Sequence, residues 1–413
     1  MPRLWLLLLA GLSPALTPLP RAAEATYGAE IDFLQRHVGV VELSAPDGRS
    51  RLVVIPAYEG RVMTSTAAGR DGYSFGWINH RLIATGQLQP HMNVFGGEER
   101  IWLGPEGGPF ALFFPPHGRE QTLATWQTPP LFDTAPWRVE RQSPDAVELS
   151  ASGRLTNRAG SVLDVGIVRT VRLLGAAEAA AALGGHLPAG LSWVGYESNN
   201  RLTNRGSTPW RRETGLPSIW LLGQFNPGPR TIIMVPMLAG SPPPMSSPSA
   251  DRPAVRSDYF GAIAGDRLRQ QMGAVYFRAD GKSRGKIGVA AAWARPIVGS
   301  WDAAHGVLTL IEFNLPPSAA HLPYVDSRWL DSAAPYAGDA VNAYNDGPPA
   351  PGVPPLGPFY ELETSSPAAE LKPGESLVHI SRTFHFTGEH AALEHLARAR
   401  LGRSLEAIEA ALR

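Results

Sequence analysis

Phe359-Tyr360-Glu361-Leu362-Glu363-Thr364-Ser365-Ser366-Pro367 is followed by Leu371-Lys372-Pro373-Gly374-Glu375-Ser376 and then by the run Val378–Phe386. In extended chain, successive side chains point to opposite faces. Glu361 and Glu363 therefore share one face of the first run, with Tyr360 and Leu362 on the other. In the second run His379, Ser381, Thr383 and His385 share a face, opposed by Val378, Ile380, Phe384 and Phe386. Period-2 alternation over these lengths predicts two strands. Paired through the Pro373-Gly374 turn, they would bring carboxylates and imidazoles to one face, which is the raw material of proton transfer. The polar solvent face of an ordinary sheet would read the same way.

The same pattern recurs in both directions along the chain. Apolar or alternating runs of strand length are Val38–Leu43, Arg51–Ile55, Phe110–Phe114, Ala146–Ser150, Val165–Leu174, Leu191–Tyr196, Ile219–Leu222, Thr231–Val235, Gly273–Phe277, Ile287–Ala292 and Val307–Phe313. Turn chemistry separates them, as in Ala45-Pro46-Asp47-Gly48 and Asn226-Pro227-Gly228-Pro229. Gly (43) and Pro (39) together fill about a fifth of the 413 residues, above their usual share. Ala176–Leu183 reads as one short helix or a loop, and only His390–Leu412 carries a clear helical stripe, split by Gly402 and capped at Ser404. Helical crossovers for a parallel sheet are missing, so the fold class is all-β, mainly antiparallel, with a short C-terminal helical tail at 390–412. The tail would cap a sheet edge, or else mediate a dimer; a monomer or weak dimer is expected. Leu238–Val255 and Tyr344–Pro358 read as Pro-rich loops within one domain spanning residues 26–413.

Composition closes off several function classes. There is no Cys, hence no disulfide, thiolate metal site or cysteine nucleophile. Lys+Arg and Asp+Glu are equal at 37 each, which argues against nucleic acid as a partner. Basic charge is almost all Arg, since Lys occurs only at Lys282, Lys286 and Lys372. At the N-terminus Arg3 precedes the apolar run Leu4–Leu9, and Ala23-Glu24-Ala25 offers a small-residue cleavage site, after Ala25 or alternatively after Ala23. Residues 1–25 are thus expected to be a cleavable signal peptide with no membrane anchor behind it, and the product periplasmic or secreted.

Three further polar clusters carry candidate ligand-binding residues. The first runs from His91 through Asn93, Gly96-Gly97-Glu98-Glu99-Arg100, Trp102 and on to Glu106-Gly107-Gly108. Glycine lets backbone approach a ligand closely, an indole face stacks on a sugar, and Glu and Arg bond hydroxyls; a Gly-rich turn with a surface ion pair is the plainer alternative. In the second, Glu197 and Asn199 share a strand face, with Asn204 beyond them. The third is Asp339-Ala340-Val341-Asn342-Ala343-Tyr344-Asn345-Asp346-Gly347. Its Asp and Asn spacing loosely echoes calcium loops but lacks their pattern and terminal Glu, so an Asx-rich turn is expected and no metal or cofactor is called for.

A strand bearing Leu362-Glu363, a loop, and Leu371-Lys372-Pro373-Gly374-Glu375 entering a strand that ends Arg382-Thr383-Phe384-His385-Phe386 resembles the C-terminal end of galactose mutarotases, the aldose 1-epimerases. Over nearly its whole length beyond the leader, the chain looks more specifically like an uncharacterised secreted bacterial family of the galactose mutarotase-like superfamily. The resemblance implies a large antiparallel β-supersandwich with a carbohydrate-sized groove, and Glu363 at the position of the general base. It does not imply a reaction. The His–Tyr–Phe–Asn segment of true mutarotases, whose His is the acid, is replaced around Asn199-Asn200-Arg201-Leu202-Thr203-Asn204, and His91 stands several residues before Gly96-Gly97. The acid would then be His91, His379 or His385.

Two functions follow. One is an exported sugar-active enzyme, epimerase-like, with Glu363 as base, a His as acid, and Arg100 or Arg382 orienting a hydroxyl or carboxylate. The other is a non-catalytic carbohydrate-binding protein, in which Trp102, Trp193 or Trp220 stacks on the sugar. Asn93, Glu98, Glu99, Glu197, Asn199, Asn204, Asn342, Asn345, Asp346 and Glu361 supply the polar contacts in either case.

Overall fold

A computed structural model describes residues 26–238 and 253–413. The expected signal peptide, and most of the Pro- and Ser-rich loop at 238–255, lie outside the described residues. Among the described residues the strands form sheets of ten, six and three strands, with every pairing between strands antiparallel. The all-β antiparallel sandwich expected from the turn-punctuated sequence is the architecture observed.

The two larger sheets pack face to face. Phe225, Ile287, Val289, Val341, Ala343, Tyr360 and Leu362 of the six-stranded sheet share one core with Ile233, Val275, Phe277, Val298, Ile311 and Phe313 of the ten-stranded sheet. These are the alternate positions of their strands, so the residues between them must point out of the sandwich. For the strand Tyr360–Ser365 that outward pair is Glu361 and Glu363.

Tyr360–Ser365 and Ser376–Gly388 do not pair, so the condition for one shared polar face is not met. The first lies in the six-stranded sheet between Asp339–Asn345 and Ser218–Phe225; the second lies in the ten-stranded sheet between Val307–Phe313 and Leu191–Asn204. The polar face of the second strand turns inward, where His379 Nε2 meets Thr364 Oγ1 at 2.9 Å. Thr364 stands on the inner face of its strand, so the imidazoles and the carboxylates lie on opposite sides of one sheet.

Other expectations are corrected for local reasons. Asp339–Asn345 is not an Asx turn but a central strand with all seven residues buried. Asn342 is tolerated there because its amide donates to Ile287 O at 3.1 Å and to Tyr259 Oη at 3.0 Å. Phe110–Phe114 is loop, its apolar residues filling space beneath Trp126 rather than pairing, as Phe113 stacks on that indole at 5.6 Å. Asn199–Asn204 continues the long strand Leu191–Asn204. The helix Tyr27–His37 was not foreseen; it packs Tyr27, Ile31 and Leu34 on Val53, Ile55 and Met63.

The C-terminal helices His390–Leu401 and Leu405–Ala410 cover a face of the ten-stranded sheet rather than an edge. Leu393, Leu396, Leu401 and Ile408 bury Ile232, Met234, Leu308, Leu310, Phe384 and Phe386. These residues form the apolar face that the strands turn away from the six-stranded sheet, and that face needs the cover. The caps read from the sequence are present: Ser404 Oγ accepts from Ala407 N at 3.0 Å, and Gly402 closes the first helix at φ 75°.

Candidate functional site

The outward face of the six-stranded sheet carries a polar grid. Lys286, Tyr344, Glu361 and Gln224 stand directly opposite one another on four successive strands. One step along, Asn342, Glu363, Leu222 and Arg100 form a second row, and Trp220 opposes Trp102 in a third. Directly paired residues bring their Cβ atoms to about 5 Å, so the grid is continuous.

Loops raise walls around it and make a cleft of about 570 Å³, its open mouth included. Trp126 stacks on Phe113 on one side, and Phe260 meets Tyr344 edge-on at 5.9 Å on the other. Trp329, Met92 and Phe359 complete the apolar lining, with Glu106 and Arg284 at its polar edge. Apolar walls with a few convergent polar groups are the usual make-up of a small-molecule site.

Each acid of the grid has a cation. Glu361 Oε1 accepts from Arg100 Nη2 and from Gln224 Nε2, both at 2.9 Å, and the Arg100 guanidinium lies 4.3 Å from the Trp102 ring centre. Glu363 is fully buried, and its Oε2 accepts from Lys286 Nζ and Trp220 Nε1, both at 2.9 Å, while its Oε1 has no partner. Burial pushes the Glu363 carboxyl up to about 7, against the pull of Lys286. Burial also acts to lower Lys286, but the carboxylates of Glu363, Glu106 and Glu361 outweigh it and hold the ammonium above its ordinary range. The Glu106 carboxyl is likewise raised by burial.

Of the residues expected from sequence, Arg100, Trp102, Glu361 and Glu363 come together here, with Trp220 beside them and Asn342 on the same face. The others are held elsewhere. Glu99 pairs with Arg169 at 2.8 Å, and Glu98 accepts from Ser65 Oγ at 2.9 Å with His385 Nε2 at 3.2 Å, all in the protein interior. Asn93 donates to Asp133 at 2.7 Å. Glu197 pairs with Arg172 and Arg382 on the ten-stranded sheet, whose strand Leu191–Asn204 also carries Asn199. Asn204 bonds Thr208 O and Leu371 O. Asn345 donates to Ser283 O, and Asp346 accepts from Tyr344 Oη and Gly357 N, so both brace loops at the cleft's edge. His91 is exposed, its Nδ1 at 2.8 Å from Trp126 O, behind the wall rather than in the cleft.

The glycines also serve the protein rather than a ligand. A Cβ on Gly96 would sit 2.1 Å from Trp77 O, and one on Gly97 would sit 2.6 Å from the Arg61 side chain, both at positive φ. Sequence reasoning missed Gln224, Lys286, Glu106, Arg284 and the walls Trp126 and Trp329. Lys286 did leave a mark, as one of only three lysines in an Arg-rich chain.

Comparison with known proteins adds the fold and a family. Solved structures similar to the chain include Slr1438 protein from Synechocystis sp. PCC 6803, with TM-score 0.50 and 13% identity over 85% of this chain and 96% of that one. A putative aldose 1-epimerase from Escherichia coli K12 matches with TM-score 0.46 and 14% identity over 85% and 99% of the two chains. A galactose mutarotase-like protein from Lactobacillus casei ATCC 334 matches with TM-score 0.43 and 11% identity over 84% and 100%. At these identities the likeness is one of fold. No curated protein matches the chain. A model of a family of unknown function matches residues 25–412, nearly the whole sequence.

Proposed function

The chain belongs to that family, DUF6786, and from the geometry of its cleft we propose that it binds a saccharide there. The observation that carries this is the grid itself: Lys286, Tyr344, Glu361 and Gln224 in one registered row, enclosed by indole walls. A sugar ring has apolar C–H faces that pack on aromatic rings and a rim of hydroxyls that both donate and accept. Glu361 and Gln224 accept or donate at fixed positions, and Arg100 holds Glu361 so that little entropy is lost on binding. The motif at Leu362–Phe386, similar to that of aldose 1-epimerases, supports the same ligand class. Residues 1–25 support export, which N-terminal sequencing of the product purified from its native host would test.

An epimerase reading is favoured by one observation, the Glu363 carboxyl raised to about 7 and so suited to a base near neutral pH. Against it, Glu363 is tied to Lys286 and Trp220, and His379 and His385 face the other side of the sheet. Binding without turnover is therefore the better-supported function.

The test is titration of mono- and disaccharides by calorimetry and tryptophan fluorescence, alongside NMR of anomer exchange in the same samples. Binding is expected, with anomer exchange at the uncatalysed rate. Glu361→Gln exchanges a charged acceptor for a neutral one and is expected to weaken binding by about five- to tenfold. Flat titrations across neutral and acidic sugars would sink the saccharide reading; accelerated exchange abolished by Glu363→Gln would replace binding with catalysis.

A further inference from the structure

We propose that the saccharide taken by this cleft is an acidic one, with a sugar carboxylate received by Arg284. The inference rests on the saccharide reading and narrows it. Arg284 immediately precedes the strand Gly285–Ala290 and reaches the cleft with its guanidinium 3.8 Å from the ring centre of Phe260. The other two cations of the cleft are committed, Arg100 to Glu361 and Lys286 to Glu363. Arg284 has no carboxylate partner and makes no side-chain hydrogen bond among the described residues, so its five donors face the cleft and solvent.

A second observation points the same way. Three buried N–H donors on the cleft wall have no protein acceptor, Trp329 Nε1 and the more deeply set Arg100 Nε and Trp126 Nε1. Arg100 and Trp126 are at least nine-tenths buried, at 5% and 3% exposure, and a buried donor left unpaired is costly. A ligand rich in acceptors and carrying negative charge answers both features. Glu106 is the one carboxylate of the cleft outside an ion pair. Burial raises its carboxyl against the pull of Lys286 and Arg284, and neither of those cations forms an ion pair with it. The planar guanidinium fork matches a carboxylate in two parallel hydrogen bonds, and its stacking on Phe260 fixes its plane in advance.

The experiment titrates the purified chain with D-galacturonate, D-glucuronate and their short oligomers. The parent neutral hexoses and galactose 6-phosphate are titrated beside them. Uronates are expected to bind about 10- to 100-fold more tightly than the matching hexoses, the range of a hydrogen bond to a charged group, and the ratio should shrink as salt rises. Arg284→Gln should bring uronate affinity down to that of the matching hexose, and Arg284→Lys should restore part of the preference. Equal affinity for hexose and uronate overturns the proposal while leaving the saccharide reading intact. So does sugar phosphate binding in place of uronate, or a uronate preference that survives Arg284→Gln. If Arg284→Gln fails to fold, the wild-type ratio and its salt dependence decide the matter. Binding of none of these sugars overturns the saccharide reading and this proposal together.

Discussion

Lys286→Met is expected to destabilise the folded chain by about 3–5 kcal/mol, the usual cost of removing one partner from a buried ion pair. Lys286 is 5% exposed and Glu363 not at all, so no water replaces the lost ammonium. The remaining carboxylate keeps only Trp220 Nε1 as a donor, with Oε1 already unpaired. Its one escape is to take up a proton, which gives the loss a pH signature. In the variant the folded-state pKa of Glu363 rises further, above both its value of about 7 in the intact protein and the ordinary 4.5. A carboxyl raised in the folded state contributes stability below its unfolded pKa and loses it as pH rises. The parent loses stability in the same way up to its own value near 7. The deficit should therefore change little from pH 5 to about 7 and grow above that towards pH 9, by up to about 1.4 kcal/mol per pH unit. Urea unfolding of both proteins across that range measures it. Adding Glu363→Leu should recover much of the loss, since neither charge is then buried alone. A deficit below about 1 kcal/mol, or one independent of pH, would mean that water reaches Glu363 and that the site is more open than described.

The fold was legible because its strands are punctuated by turn residues with a local signature, and because one face of each strand is apolar. The acidic half of the site was legible for the same reason: alternation puts Glu361 and Glu363 on one face wherever the strand goes. Which strand sits beside it was not legible. The sequence neighbour Ser376–Gly388 crosses to the other sheet, while Ser218–Phe225 and Asp339–Asn345, distant or read as a turn, take the places at its sides. Gln224 and Lys286 could be found only through that register. Burial misled in a specific way. A polar residue on a strand reads as solvent-facing or ligand-facing, yet Glu98 is answered by His385 and Glu99 by Arg169 inside the protein. Large sandwiches have interior positions that the flanking strands can satisfy with hydrogen bonds, and no local pattern separates these from a binding face. The loop-borne walls at Trp126 and Trp329 had no period at all.

His379 separates a structural imidazole from a catalytic one, and its titration is expected to fall far outside the range of a working acid. Burial holds it down to about 3. Its surroundings explain this: Nε2 meets the neutral Thr364 hydroxyl, Nδ1 has no partner, and the ring lies 6.0 Å from that of Phe313. No carboxylate bonds it to stabilise an imidazolium. A histidine whose pKa is depressed on folding binds its proton more readily when unfolded. Its contribution to stability is thus fully present above about 6.5 and is lost as pH falls from there towards 3. Over that span the loss approaches roughly 4–5 kcal/mol at about 1.4 kcal/mol per unit. His379→Leu, which keeps an apolar side chain between the sheets, should flatten this part of the curve: less stable than the parent near pH 7, where the Thr364 bond is gone, and relatively more stable near pH 4. Chemical denaturation at pH 7, 5.5 and 4 measures the crossover, and NMR of the ring protons reads the titration directly. An imidazole titrating near 6, or a variant curve parallel to the parent's, would show that water and protons reach His379 and would reopen it as the acid for chemistry at the sheet. The expected crossover removes His379 from the candidate acids for chemistry at the sheet.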